Sequence, residues 1–182
     1  EQNIQPDVFI YQRLNDYINW LSLDDKHRLA EEPMLWIDEK TGFVKGSKVF
    51  WSPHPFGVYR FIINDEYRAF QRLMQDVMGV KNAISEQDYL DVLLEISADG
   101  DRIDDGTYTV AQNIYAYLSS CLGSVDVDDR DSVEKEWRTF FNNRKIILTH
   151  SREMKQTDHC FFADKDWAIR IFKTKIENLL VD

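Results

Sequence analysis

The residues best suited to chemistry in this chain are a few imidazoles, thiols and carboxylates. His150, His159 and Cys160 lie close together in the C-terminal part, and imidazole with thiolate is the donor set of a zinc site. An internal match at an offset of 111 residues argues for a plainer use. It puts His150 on Glu39 and His159 on Lys48, polar positions that face solvent, and Cys160 on Val49, a core position. Asp99, Asp101, Asp104 and Asp105 suggest a calcium loop, as do Asp126, Asp128, Asp129 and Asp131. Neither run has the alternating oxygen ligands, the central glycine and the closing glutamate of an EF-hand loop. Both read as solvated loops and helix caps. No P-loop, HExxH or nucleophile elbow is present. The expectation is no catalytic residue, no metal ligand and no cofactor. The competing class is a hydrolase or nuclease whose site is assembled from these scattered acids and histidines. Three aromatic residues, Trp36, Trp51 and Phe56, read first as core packing, with a groove for a peptide as their other use and the candidate interaction surface.

Composition narrows the partners. Of 182 residues, 43% are hydrophobic and 13% aromatic, enough to fold around a core. The net charge of −10 repels phosphate backbones and anionic lipid surfaces. Nucleic acid and membrane are therefore disfavoured, and protein partners remain: neighbouring domains of a parent chain or a client. Cys121 and Cys160 form no CxxC pair and read as reduced core thiols. With no apolar run near the ~20 residues of a membrane span and no signal peptide, an intracellular, cytoplasmic location is expected. A chain opening on Glu1 rather than Met reads as a segment of a larger protein.

The elements that would carry these residues can be read from periodicity. Val8, Tyr11, Leu14, Ile18 and Leu21 share one helix face. A short helix comes next, with Asp24 as its expected N-cap and Pro33 ending it. Met34 to Ile37, the turn residues Asp38 to Gly42, and Phe43-Val44 read as a hairpin, with Val49-Phe50-Trp51 as a further extended piece. Tyr67, Phe70, Leu73, Met74 and Val77 form a helical stripe that Gly79 stops. Ser85 and Asp88 resemble a capping box ahead of Tyr89, Leu90, Leu93, Leu94 and Ile96. Val110, Ile114, Tyr117, Leu118, Cys121 and Leu122 mark a helix ending at Gly123. Val133, Trp137, Phe140 and Phe141 mark another. Residues 145–162 are strand-like, and Trp167 to Leu180 suggest a last helix.

The two strand-like stretches match without a gap at that offset of 111, with Phe50 on Phe161. Leu35-Trp36-Ile37 then falls on Ile146-Ile147-Leu148, Phe43 on Met154, and Phe61 on Phe172. Gly42 and Trp51 of the first copy fall on Glu153 and Phe162. Both hairpins come after two helical stretches. The expected fold is α+β and mainly helical, two hairpin-plus-helix units packed as a tandem repeat. Residues 1–98 would hold the first unit with its following helix and 107–182 a second, partial unit, with the acidic loop 99–106 between them.

The stretch EEPMLWIDEKTGFVKGSKVFWSPHPFG (31–57) resembles a unit that recurs in large sacsin-like and NO VEIN-like proteins. MGVKNAISEQDYLDVLLEI (78–96) is similar to a helix of the same proteins, and RKIILTHSREMKQTDHCFFADKDW (144–167) looks like a degraded copy of the hairpin. Those relatives carry a chaperone-type ATPase domain N-terminal to such units. This chain has no glycine-rich ATP-lid pattern. The resemblance thus implies a non-catalytic scaffold or protein-interaction segment of a larger chaperone-like ATPase.

Overall fold

The computed structural model describes residues 8–100, 103–124, 135, 137, 139–142, 144–149, 151–157, 160–162 and 180–181. Helices and small strands are mixed, and 56% of these residues are helical. The chain divides into two compact units, Glu1–Ser85 and Glu86–Asp182.

The first unit opens with α1 (Val8–Asp16), which buries Tyr11. The stripe expected to continue to Leu21 leaves the α-helix early. Ile18 N and Trp20 N donate to Asn15 O and Tyr17 O, at 3.3 and 2.8 Å, so the chain tightens into i→i+3 turns while Ile18 stays buried. α2 (Leu23–Glu31) begins at an N-cap that corrects the expectation of Asp24. Ser22 Oγ accepts from Asp25 N at 3.1 Å, and Ser22 N donates back to the Asp25 carboxylate at 3.2 Å. The Ser22 hydroxyl also donates to the Asp25 carboxylate at 2.6 Å, and this bond, with the one from Ser22 N, holds the Asp25 carboxyl below its ordinary value. The serine and an acid three residues on form the reciprocal box, and Asp24 is left in the first turn, where its charge suits the helix dipole.

The hairpin forms as expected, with two residues per strand. β1 (Leu35–Trp36) pairs antiparallel with β2 (Phe43–Val44), Trp36 opposite Phe43. Asp38 Oδ1 accepts from Lys40 N at 2.9 Å and Thr41 N at 2.7 Å, and Gly42 takes the left-handed conformation at φ 76° that lets the turn close. β3 (Val49–Phe50) pairs in parallel with β4 (Phe61–Ile62). The connection between them is too short for a helical crossover. Pro53, Pro55 and a 3-10 turn at Gly57–Tyr59 cross it instead. The next stripe is helical but only Gln71 and Arg72 in it are α. It runs as a 3-10 helix over Asp65–Phe70 and a π turn over Leu73–Val77. Met78 N donates to Leu73 O, Val80 N donates to Met74 O, and Gly79 at φ 80° ends the helix. Tyr67, Leu73 and Met74 are fully buried, packed with Tyr11, Leu35 and Val49 in one core.

In the second unit α3 (Glu86–Asp99) packs against α4 (Asp105–Ser124), with Tyr89 stacked on Tyr117 at 3.7 Å. The helix expected to close a first unit of residues 1–98 therefore groups with α4, and the division falls ahead of α3 rather than in the acidic loop. Val92 is buried and Leu94 only partly so. α4 runs one residue past Gly123. Trp137 is buried at a helical position. β5 (Ile147–Leu148) pairs antiparallel with β6 (Met154–Lys155), and β7 (Phe161–Phe162) pairs in parallel with β8 (Leu180–Val181). Leu180 is thus in a strand, not in the expected last helix. Trp167, Ile171, Phe172, Ile176 and Leu179 lie outside the described residues, as do His150, His159, Asp101, Val133 and the acidic loop 126–131.

The two hairpins differ from the ungapped match by one residue. Phe43 corresponds to Met154, but Trp36 corresponds to Leu148 rather than Ile147, because the second turn is one residue shorter. Thr149 N donates to Glu153 O at 3.0 Å and Arg152 N to Thr149 O at 2.9 Å. Arg152 takes the left-handed conformation at φ 62°, one position earlier than the residue matched to Gly42. A left-handed residue thus closes the shorter turn.

One detail occurs in both units. Tyr11 of α1 donates to Met34 O at 3.0 Å and accepts from Trp36 N at 3.1 Å. Tyr115 of α4 donates to Ile146 O and accepts from Leu148 N at 3.1 Å. In each case a helix tyrosine bridges the carbonyl and the amide on either side of one residue of the first hairpin strand. Burial raises the pKa of both phenols. A raised folded-state pKa means stability that is complete below the unfolded value near 10 and lost as pH rises through the folded value. We expect Tyr11→Phe and Tyr115→Phe each to cost about 1–3 kcal/mol, since each orphans a carbonyl and an amide. Tyrosinate absorbance in the wild type should show a fraction that titrates only with alkaline unfolding, and each substitution should reduce it.

Candidate functional site

Of the three aromatic residues, two take the favoured use as core and the candidate groove they would share does not form. Trp36 and Phe56 are 2% and 0% exposed. The Trp36 ring meets Phe43 edge-on at 5.2 Å. Phe56 lies against Phe50 at 6.1 Å and stacks on His54 at 5.7 Å. Both rings are core, and neither presents a face to a peptide. Trp51 alone is partly exposed, with the Arg68 guanidinium 5.7 Å from its ring centre. His54 accepts from Phe56 N through Nδ1, and burial holds its pKa below the ordinary histidine value, so it is a neutral ring wedged among phenylalanines.

The acids are engaged locally. Asp104 Oδ1 accepts from Thr107 N at 2.7 Å, the bond of an N-cap on α4, which lowers its pKa. Asp105 pairs with Arg152. Cys160 Sγ lies 3.2 Å from Gln156 O, and Cys160 and Cys121, both of intermediate burial, are in no disulfide. Among the described residues, no group of three or more His, Cys, Asp or Glu side chains is placed to hold a metal ion.

Two features went unnoticed in the sequence. One is a cleft of about 710 Å³ within the second unit, between Glu86 and Leu90 of α3 and the segment bearing Lys135, Trp137, Phe140 and Arg144. Its back is fixed by Trp137 Nε1 donating to Glu86 Oε1 at 2.6 Å. The Arg144 guanidinium lies 4.3 Å from the Phe140 ring centre, so one wall is both apolar and cationic. Such a wall can hold an apolar side chain beside a carboxylate. The other is a set of outward apolar residues on α1, the turn after it and the first position of α2: Phe9, Ile10, Tyr17, Trp20 and Leu23. Alternating inward and outward apolar residues on α1 were the available signal.

No protein family, curated protein or solved structure matches this chain. Among the described residues no helix is long and apolar enough to cross a membrane.

Proposed function

We propose that this chain is a non-catalytic scaffold and protein-interaction segment of a larger chaperone-like ATPase inside the cell, built from one hairpin-and-helix unit present twice in tandem. The observation that carries this reading is the pair of tyrosine clamps. Tyr11 and Tyr115 hold their hairpins by the same two bonds, and each hairpin is succeeded by a strand that enters a parallel pair. The same tertiary bond pattern in both halves supports descent from one unit, and repeated units serve to extend a surface. The resemblance of residues 31–57 and 78–96 to sacsin-like and NO VEIN-like proteins supports the ATPase context. Partners are proteins, either neighbouring domains or a client. The hydrolase or nuclease alternative gains nothing from Asp104 and Asp105, whose carboxylates cap a helix and pair with an arginine.

Crosslinking of the full-length parent tests the reading. Lysines of this segment, Lys135 at the cleft among them, should link to neighbouring domains or to a bound client. Nucleotide, ester or nucleic-acid turnover by the purified chain, abolished by substituting one of its own acids or histidines, would overturn it.

A further inference from the structure

The outward face of α1 has a symmetry of its own. Phe9, Arg13, Asp16 and Trp20 are spaced four, three and four residues apart, so the first three fall along one edge of α1 and Trp20 comes in the turn that follows it. All four are exposed, opposite the buried Tyr11 and Ile18. Read from either end, the order is aromatic, charge, opposite charge, aromatic. Ile10 and Tyr17, 52% and 54% exposed, add apolar surface to this stretch, and Leu23 at 86% follows at the start of α2. A patch this apolar is uncommon on a surface without a partner. Arg13 and Asp16 make no ion pair among the described residues. The Arg13 guanidinium lies instead over the Phe9 ring at 5.1 Å from its centre.

We infer that this face binds a second copy of the same chain. A two-fold axis between Leu14 and Asn15 lays two such helices antiparallel. Phe9 then meets Trp20 of the second copy, and Arg13 meets Asp16 of the second copy, each contact occurring twice. That is the condition a closed isologous dimer must satisfy: one patch complementary to itself. A patch fitted to an unrelated protein needs no such palindrome. The aromatic ends supply the apolar contact and the crossed ion pairs set the register, since parallel packing would oppose like charges. Arg13, already stacked on Phe9, is held in place for this pairing.

Sedimentation velocity on the full 182-residue chain tests this. The wild type should pass from monomer to dimer at concentrations on the order of 10–100 µM, as suits a contact at the small end of specific interfaces. Arg13→Asp should be monomeric, and so should Asp16→Arg, each with a wild-type circular dichroism spectrum and melting curve. An equimolar mixture of the two variants should form a one-to-one heterodimer, because each supplies the charges the other lacks. Trp20→Ala should be monomeric. A wild type that stays monomeric well above this range overturns the inference, as does binding of only an unrelated protein at this face. So does dimerisation unaffected by Arg13→Asp, or a mixture of folded variants that fails to associate.

Discussion

Gly46→Ala should destabilise the first unit by about 3 kcal/mol or more, beyond the usual cost of overpacking a core. Gly46 is buried at the start of a 3-10 turn. A Cβ built on it runs into the backbone carbonyl of Met78, lying 2.7 Å from the carbonyl carbon and overlapping the oxygen. The obstacle is main chain and cannot rotate away. It is also pinned, because Met78 N is bonded to Leu73 O and the next residue, Gly79, is the left-handed stop of the π turn. Accommodating one methyl would require separating the segment after β2 from the end of that helix. Chemical denaturation followed by circular dichroism should show the loss. Gly100→Ala is the comparison: a Cβ there meets nothing within 4 Å, so any cost comes from its φ of 148° and not from packing.

Trp36→Ala should cost about 3–5 kcal/mol, the range for removing a large aromatic side chain from a core. For a unit of this size that is a large share of the ~5–15 kcal/mol typical of a folded domain. Trp20→Ala, by contrast, removes a ring that is 85% exposed and should change stability by no more than ~0.5 kcal/mol. The pair of measurements separates the two uses of tryptophan in one unit. A small effect of Trp36→Ala on unfolding would contradict the burial on which the core assignment rests.

The sequence made the elements legible where one physical signal dominated. Tyr67, Phe70, Leu73, Met74 and Val77 are all buried at the expected helical stripe, yet periodicity could not distinguish the 3-10 and π geometry that the stripe adopts. The hairpins could be read from turn chemistry and short apolar runs. Their relative register could not, because a left-handed Arg152 closes the second turn in one residue fewer, and arginine carries no turn signal. Ser22 was overlooked as a cap because two acids come soon after it and either could have served. The candidate surface was the least legible. Trp36, Trp51 and Phe56 are alike in type, and only packing places two inside and one at the edge. Trp20 and Leu23 look as suited to a core as any residue, and only the fold turns them outward. The Trp137 cleft joins α3 to residues about 50 positions later in the chain, a distance over which sequence pattern has no reach.

Among the described residues each strand is two residues long. An incoming chain laid along such an edge would find room for only a bond or two before the backbone turns away. Pairing by strand addition, common to peptide-binding sheets and to cross-β aggregates, has almost no template here. Among the described residues, what is left open to contact is then side chains on helices and in the Trp137 cleft. The most exposed aromatic ring, Trp20, lies in the turn after α1 and away from any such edge.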